Sequence, residues 1–256
     1  MSYRAPEFYL QSLHHELEKL AKIGSDFLAI GATNILRQNA AELRAFGDSR
    51  STQEKCWRIR DEQHLLVRTI ATRGFEPGNN GGYDVCGELA FTWGVTLTES
   101  TRNGPFNRKC FRVTGNASTQ VRIVRCDTNV TIAQWQFEIG AGGSPGTFFH
   151  VGVGHTGGEL FPNDLPVPRI PALLVTPTDA LDFLLGELFQ TEWPQANAVE
   201  NDDTRLFGRL QHARLEHMLK WYLGGLTPRA GVGSAWMTLK RTKPRTDLPF
   251  LAPSSP

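Results

Sequence analysis

Arg205, Arg209, His212 and Glu216 recur at intervals of three and four residues. At about 100° per helical residue they fall within about 60° of one another, while Leu206, Leu210, Ala213 and Trp221 take a separate stripe. A strip that combines guanidinium, imidazole and carboxylate can hold a phosphate, move a proton and orient the base that moves it. His150, His155, Glu159 and Asp164 offer the nitrogen and oxygen ligands that zinc or another divalent cation takes. In an extended strand His150 and His155 point to opposite faces, so they converge only if the glycines at 152, 154, 157 and 158 bend the chain.

A third group is cationic. A turn at Gly115-Asn-Ala-Ser-Thr119 between strands 106–114 and 120–127 sends Phe111, Val113, Val121 and Ile123 to one face. Arg108, Arg112 and Arg122 then share the other face, a basic sheet surface suited to phosphates. Lys109 and Arg125 fall on the apolar side, near its margin. The run Lys240, Arg241, Lys243 and Arg245 extends the same chemistry toward the C-terminus. The hairpin also sets Cys110 opposite Cys126. With no CxxC pair among Cys56, Cys86, Cys110 and Cys126, reduced thiols are the expectation.

The spacing from Arg205 to His212 resembles that of HEPN-type ribonucleases, in which helix-borne arginine and histidine act on the RNA phosphate and 2′-hydroxyl. The resemblance covers eight residues, and Leu206 stands where that family has a polar side chain. It implies metal-independent cleavage with Arg205 and His212 as the acting pair. HExxH and the phosphate-loop pattern do not occur in the sequence, so no cofactor is called for.

The 27 lysines and arginines against 26 acidic residues give a formal charge of +1. No global field therefore draws the molecule onto nucleic acid or an anionic membrane, and any such contact must come from a local patch. With 40% hydrophobic and 21% charged residues, the chain fits neither disordered, collagenous nor coiled-coil classes. No stretch approaches the roughly 20 apolar residues that span a bilayer, and no secretory leader is legible. The expectation is a cytoplasmic protein without membrane contact, although Asn116-Ala-Ser and Asn129-Val-Thr match the glycosylation pattern.

Three helices must come first. Leu10, Leu13, Leu17 and Leu20 form one stripe; a second helix lies between Phe27 and Phe46; a third runs from a Ser51–Glu54 capping box to about Thr72. After the breaker 74–82, alternation in 88–99 puts Leu89, Phe91, Trp93, Val95 and Leu97 on one strand face. The hairpin and strands near 130–139 and 147–153 complete an antiparallel meander of about five strands. A proline-rich crossing follows, then a helix capped by Thr176-Pro177 and ended by Trp193-Pro194, then a long helix over 203–223.

The fold class is α+β: an N-terminal helical region (1–73), the sheet region (84–155), the crossing segment with C-terminal helices packed on the sheet (156–226) and a basic, proline-containing tail (227–256). These form one cooperative domain. The functional expectation is a non-catalytic binding or assembly subunit of a nucleic-acid-processing or defence system, with a protein partner and a basic sheet face for nucleic acid. The alternative is an enzyme: the ribonuclease strip, or a metal site at His150, His155 and Glu159.

Overall fold

The computed structural model describes residues 7–49, 51, 53–59, 66–73, 82–99, 109–139, 149–154 and 170–226. Two long antiparallel strands form its spine, β4 (Val85–Glu99) and β5 (Lys109–Arg125). Their odd-numbered residues Leu89, Phe91, Trp93, Val95, Phe111, Val113, Val121 and Ile123 are all buried, as period-two alternation requires of a sheet with one covered face. Trp93 Nε1 donates to Thr119 Oγ1 at 2.9 Å, so the one hydroxyl on this stretch of β5's core face is satisfied inside.

Shorter strands flank the spine. β2 (Lys55–Ile59) and β3 (Val67–Arg68) share the outer edge of β4, while β1 (Glu7–Tyr9) and β6 (Thr131–Ile139) share that of β5. β7 (Phe149–Gly154) and β8 (Ile170–Pro171) extend the sheet to eight strands in the order β2-β4-β5-β6-β7-β8, all paired antiparallel.

The helices are α1 (Leu10–Ile23), α2 (Ala32–Asp48), α3 (Pro177–Leu188), α4 (Glu192–Ala198) and α5 (Asp202–Leu226). The α+β class holds. Leu13, Leu17 and Leu20 of α1, Leu36 and Leu43 of α2, and Leu181, Leu184 and Leu188 of α3 join the sheet's odd face in one core. Thr176 caps α3 reciprocally with Asp179, with Pro177 at the first position, as its sequence predicts. α3 approaches β4 so closely that a Cβ on Gly87 would stand 2.7–2.8 Å from Leu188 and Leu184; any larger residue there would push helix from sheet.

Three expectations are corrected. Residues 115–119 are not a turn, because β5 runs through them unbroken. The ladder with β4 slips between Trp93↔Ala117 and Val95↔Val113, and an irregularity absorbs the extra residues. Pairing with β4 on both sides of the slip overrides the local Gly-Asn turn signal. The face assignment survives because the slip keeps odd residues with odd.

Residues 55–59 and 67–68 are strands rather than a third helix. Trp57 and Ile59 are buried and Cys56 and Arg58 exposed, a two-residue period, and Trp57 packs its ring on Phe91 and Trp93. Trp193-Pro194 lies inside α4, where proline is tolerated in the first turn. Trp193 is buried, donating from Nε1 to Asp182 Oδ1 at 2.9 Å.

Candidate functional site

The even-numbered face of the sheet is polar. Ladder register aligns Glu88 with Arg122 and Gln134, Gln120 with Gln136, and Ser118 with Glu138 and His150. Gln136 Nε2 donates to Ser118 Oγ at 3.2 Å and Glu138 Oε1 at 2.8 Å, and His150 Nε2 lies 3.0 Å from Glu138 Oε2. His150 is buried and held by this carboxylate. His155, Glu159 and Asp164 fall outside the described residues. Among the described residues, His14, His15 and Glu18 of α1 are a group whose ligand atoms lie within 4.8 Å of one another.

At the Glu88 end the polar face opens into a cleft of about 790 Å³. Its walls are Arg68, Glu88 and Arg122 from the sheet, Asn129 and Thr131 from the β5–β6 corner, and Gly31, Asn34 and Gln38 from the start of α2. Backbone hydrogen bonds fix that geometry: Ala29 N donates to Arg68 O, Ile70 N to Phe27 O, and Thr69 N to Gly87 O, each at 2.9 Å. The segment before α2 is thereby stitched to the β3 edge, and α2 begins over Arg68.

Gly31 caps α2 in the left-handed region at φ +89°, open to glycine at little cost. No side chain caps this helix and its first turn holds no acid; with Gly31, Asn34 and Gln38 on the wall, the positive end of its dipole lies beside the cleft.

Two guanidinium groups meet one carboxylate here. Arg122 Nη2 lies 2.8 Å from Glu88 Oε2, and Arg68 Nε lies 3.9 Å from Glu88 Oε1. Arg68 also donates to Cys86 Sγ from Nε at 3.1 Å and from Nη2 at 2.9 Å, and to Asn129 Oδ1 at 2.9 Å. Burial works against its charge, but Cys86 and Glu88 outweigh that and hold Arg68 above the usual arginine value. With no other charged side chain on the lining, the cleft carries net positive charge and suits an anion.

Sequence reasoning placed Arg122 on a polar face and a helix between Phe27 and Phe46, but missed the meeting of Arg68 with the start of α2, which only tertiary pairing brings about. Arg112 shares that face ten residues along β5 and is half-buried. Arg108, Lys240, Arg241, Lys243 and Arg245 lie outside the described residues. Arg125 reaches past the strand end, pairing with Asp127 and stacking over the Tyr83 ring at 4.1 Å. Cys110 is not the partner of Cys126: it aligns with Thr98 and Tyr9, whereas Cys126 Sγ lies 3.0 Å from Cys86 Sγ.

Arg205, Arg209, His212 and Glu216 share the exposed side of α5. Arg205 pairs with Glu200 at 3.0 Å, with both side chains well exposed. The spacing on the helix is as expected, and the strip faces outward. None of its four residues lines the cleft. No helix among the described residues is long and apolar enough to cross a membrane. Comparison of the chain with family models, with characterised proteins and with solved structures finds no match.

Proposed function

We propose that this chain is a non-catalytic binding subunit of a cytoplasmic multi-protein system, and that it seats a nucleic-acid backbone in the cleft between Arg68, Arg122 and the start of α2. The observation that carries the reading is the convergence of two guanidinium groups and a bare helix N-terminus on one open, positively charged cleft. Phosphate oxygens are met by this combination of forked donors and backbone amides. The half-buried amides of the adjoining face, Gln120, Gln134 and Gln136, suit contacts to sugar and base edges beyond the phosphate. The nearly neutral whole molecule leaves affinity to local patches such as this one.

Anisotropy of a labelled single-stranded RNA, repeated with DNA across a salt series, tests the proposal. Affinity should fall steeply with salt, and Arg122→Gln should lower the slope of log K against log salt by about one. Asn34→Asp is the cleaner variant. An acid in the first turn favours the helix while repelling phosphate, so binding should drop several-fold with an unchanged or higher melting temperature. Undetectable wild-type binding at low salt, or binding indifferent to both changes, overturns the reading.

A further inference from the structure

We infer that Cys86 and Cys126 form a reversible dithiol–disulfide pair, in which Cys86 attacks the oxidant and Cys126 resolves the product. Both are free thiols with their sulfurs 3.0 Å apart. A disulfide needs about 2.0 Å, so closure asks for roughly 1 Å of movement. The sheet maintains this proximity. Cys86 aligns with Val124 on β5, and Cys126 N donates to Asp84 O at 2.9 Å just beyond the strand end, so the two thiols are diagonal neighbours on one face.

Their surroundings differ in a way that assigns the roles. Three donors converge on Cys86 Sγ: Arg68 Nε, Arg68 Nη2 and the Cys126 thiol. That arrangement suits a sulfur carrying negative charge, the form that reacts. Burial, followed by the hydrogen bond to Cys86, pushes the Cys126 thiol up to about 12, so Cys126 holds its proton. Cys126 is also the more accessible of the two, Cys86 being buried; the oxidant must therefore be small, and hydrogen peroxide fits.

The chemistry closes with peroxide as the sole co-reactant. The Cys86 sulfur attacks one peroxide oxygen; an S–O bond forms, the O–O bond breaks, and the departing hydroxide takes a proton to become water. Cys126 then attacks the oxidised Cys86 sulfur, forming S–S and breaking S–O, and its thiol proton leaves with the hydroxide as a second water. Two thiols lose two electrons to one peroxide. An added dithiol reverses the change by exchange.

Mild peroxide on the native full chain, followed by alkylation, intact-mass measurement and peptide mapping, tests this. The expected result is loss of two thiols, a Cys86–Cys126 linked peptide and recovery with dithiothreitol. In Cys126→Ser the oxidation should stop at a sulfenic acid on Cys86, trapped by dimedone. Arg68→Gln should slow the reaction about tenfold and Arg68→Lys restore part of it, a pattern that a merely structural arginine would not give. Cys86 and Cys126 both still alkylatable after peroxide, a link to Cys56 or Cys110 instead, or dimedone labelling that favours Cys126 in Cys86→Ser over Cys86 in Cys126→Ser would overturn the assignment. The wild-type mapping needs no variant, so a substitution that fails to fold leaves the decision intact.

Discussion

Arg214 lies between Glu16 and Asp179 where α1, α3 and α5 meet, and Arg68 and Arg122 flank Glu88 where the polar sheet face opens beneath α2. The same two chemical groups serve both places, and burial separates them. The Arg214 and Glu16 side chains are 10% and 1% exposed, against 37% and 22% for Arg68 and Arg122. At the helix junction one arginine spans two carboxylates, Thr178 donates to Glu16 at 3.1 Å, and Gln211 donates to Asp182 at 3.0 Å. Burial keeps this network from solvent, although Glu16 Oε1 has no hydrogen-bond partner within it. At the cleft two arginines share one carboxylate beside open volume. An arginine–carboxylate cluster becomes a binding site when its donors outnumber its acceptors and water can reach them.

The largest effect should come from the closed cluster. Arg214→Ala strips both carboxylates of their cation, leaving Glu16 buried and uncompensated, a change that costs about 3–5 kcal/mol. Urea unfolding measures it through the midpoint at constant slope. A loss below about 1 kcal/mol would mean that water enters the junction, and the contrast with the cleft would fail.

How much of this was legible differs between the two regions for a definite reason. Burial of Leu89, Phe91, Trp93 and Val95 follows from alternation alone, and α3 from its cap, because those signals are local. Arg214 was invisible. Its partners lie 198 and 35 residues away, and it sits with Phe207, Gln211 and Met218 on the inward stripe of α5. A reading that sorts helix faces by hydrophobicity assigns a polar residue on such a stripe to solvent and passes over it.

The cleft was hidden by one register. With a hairpin at 115–119, strand 120–127 pairs with 106–114 and Glu88 has no reason to meet Arg122. Once β5 is continuous, pairing with β4 sets Glu88 opposite Arg122 directly. Reading Lys55–Ile59 and Val67–Arg68 as helix removed Arg68 from the sheet altogether.

A smaller effect separates interior from surface carboxylates by pH. Burial, opposed by Arg214, raises the Glu16 carboxyl above its ordinary 4.5; burial likewise raises Asp182. A raised carboxyl binds its proton more tightly in the fold, so the stability it contributes is complete below 4.5 and is lost as pH climbs through the raised value. Asp203 is the reverse. Hydrogen bonds from Lys19 and Lys22 lower it below 3.8, so its contribution is present above that pH and lost as acid titrates it. Glu16→Gln should therefore flatten the fall in melting temperature just above pH 4.5, while Asp203→Asn should alter only the acid limb. Identical pH profiles for wild type and Glu16→Gln would show that Glu16 titrates as an ordinary surface group.

The smallest effects belong to the outer strip of α5, where the comparison is most exposed to refutation. Arg205, Arg209 and His212 meet solvent, and the ion pair of Arg205 with Glu200 joins two exposed side chains whose attraction is screened by water. His212→Ala and Arg205→Ala should each move stability by no more than about 0.5 kcal/mol. Cleavage requires an acid–base group and a cation fixed around one phosphate in a site from which water is displaced, and an outward-facing helix strip supplies neither the fixing nor the displacement. Incubation of the purified chain with single-stranded RNA in EDTA should give no cleavage that either substitution removes. If wild type cuts RNA there and both variants, still folded, lose most of that activity, the outer strip is the functional site, and the cleft would have to be reassigned as the place where substrate backbone is held.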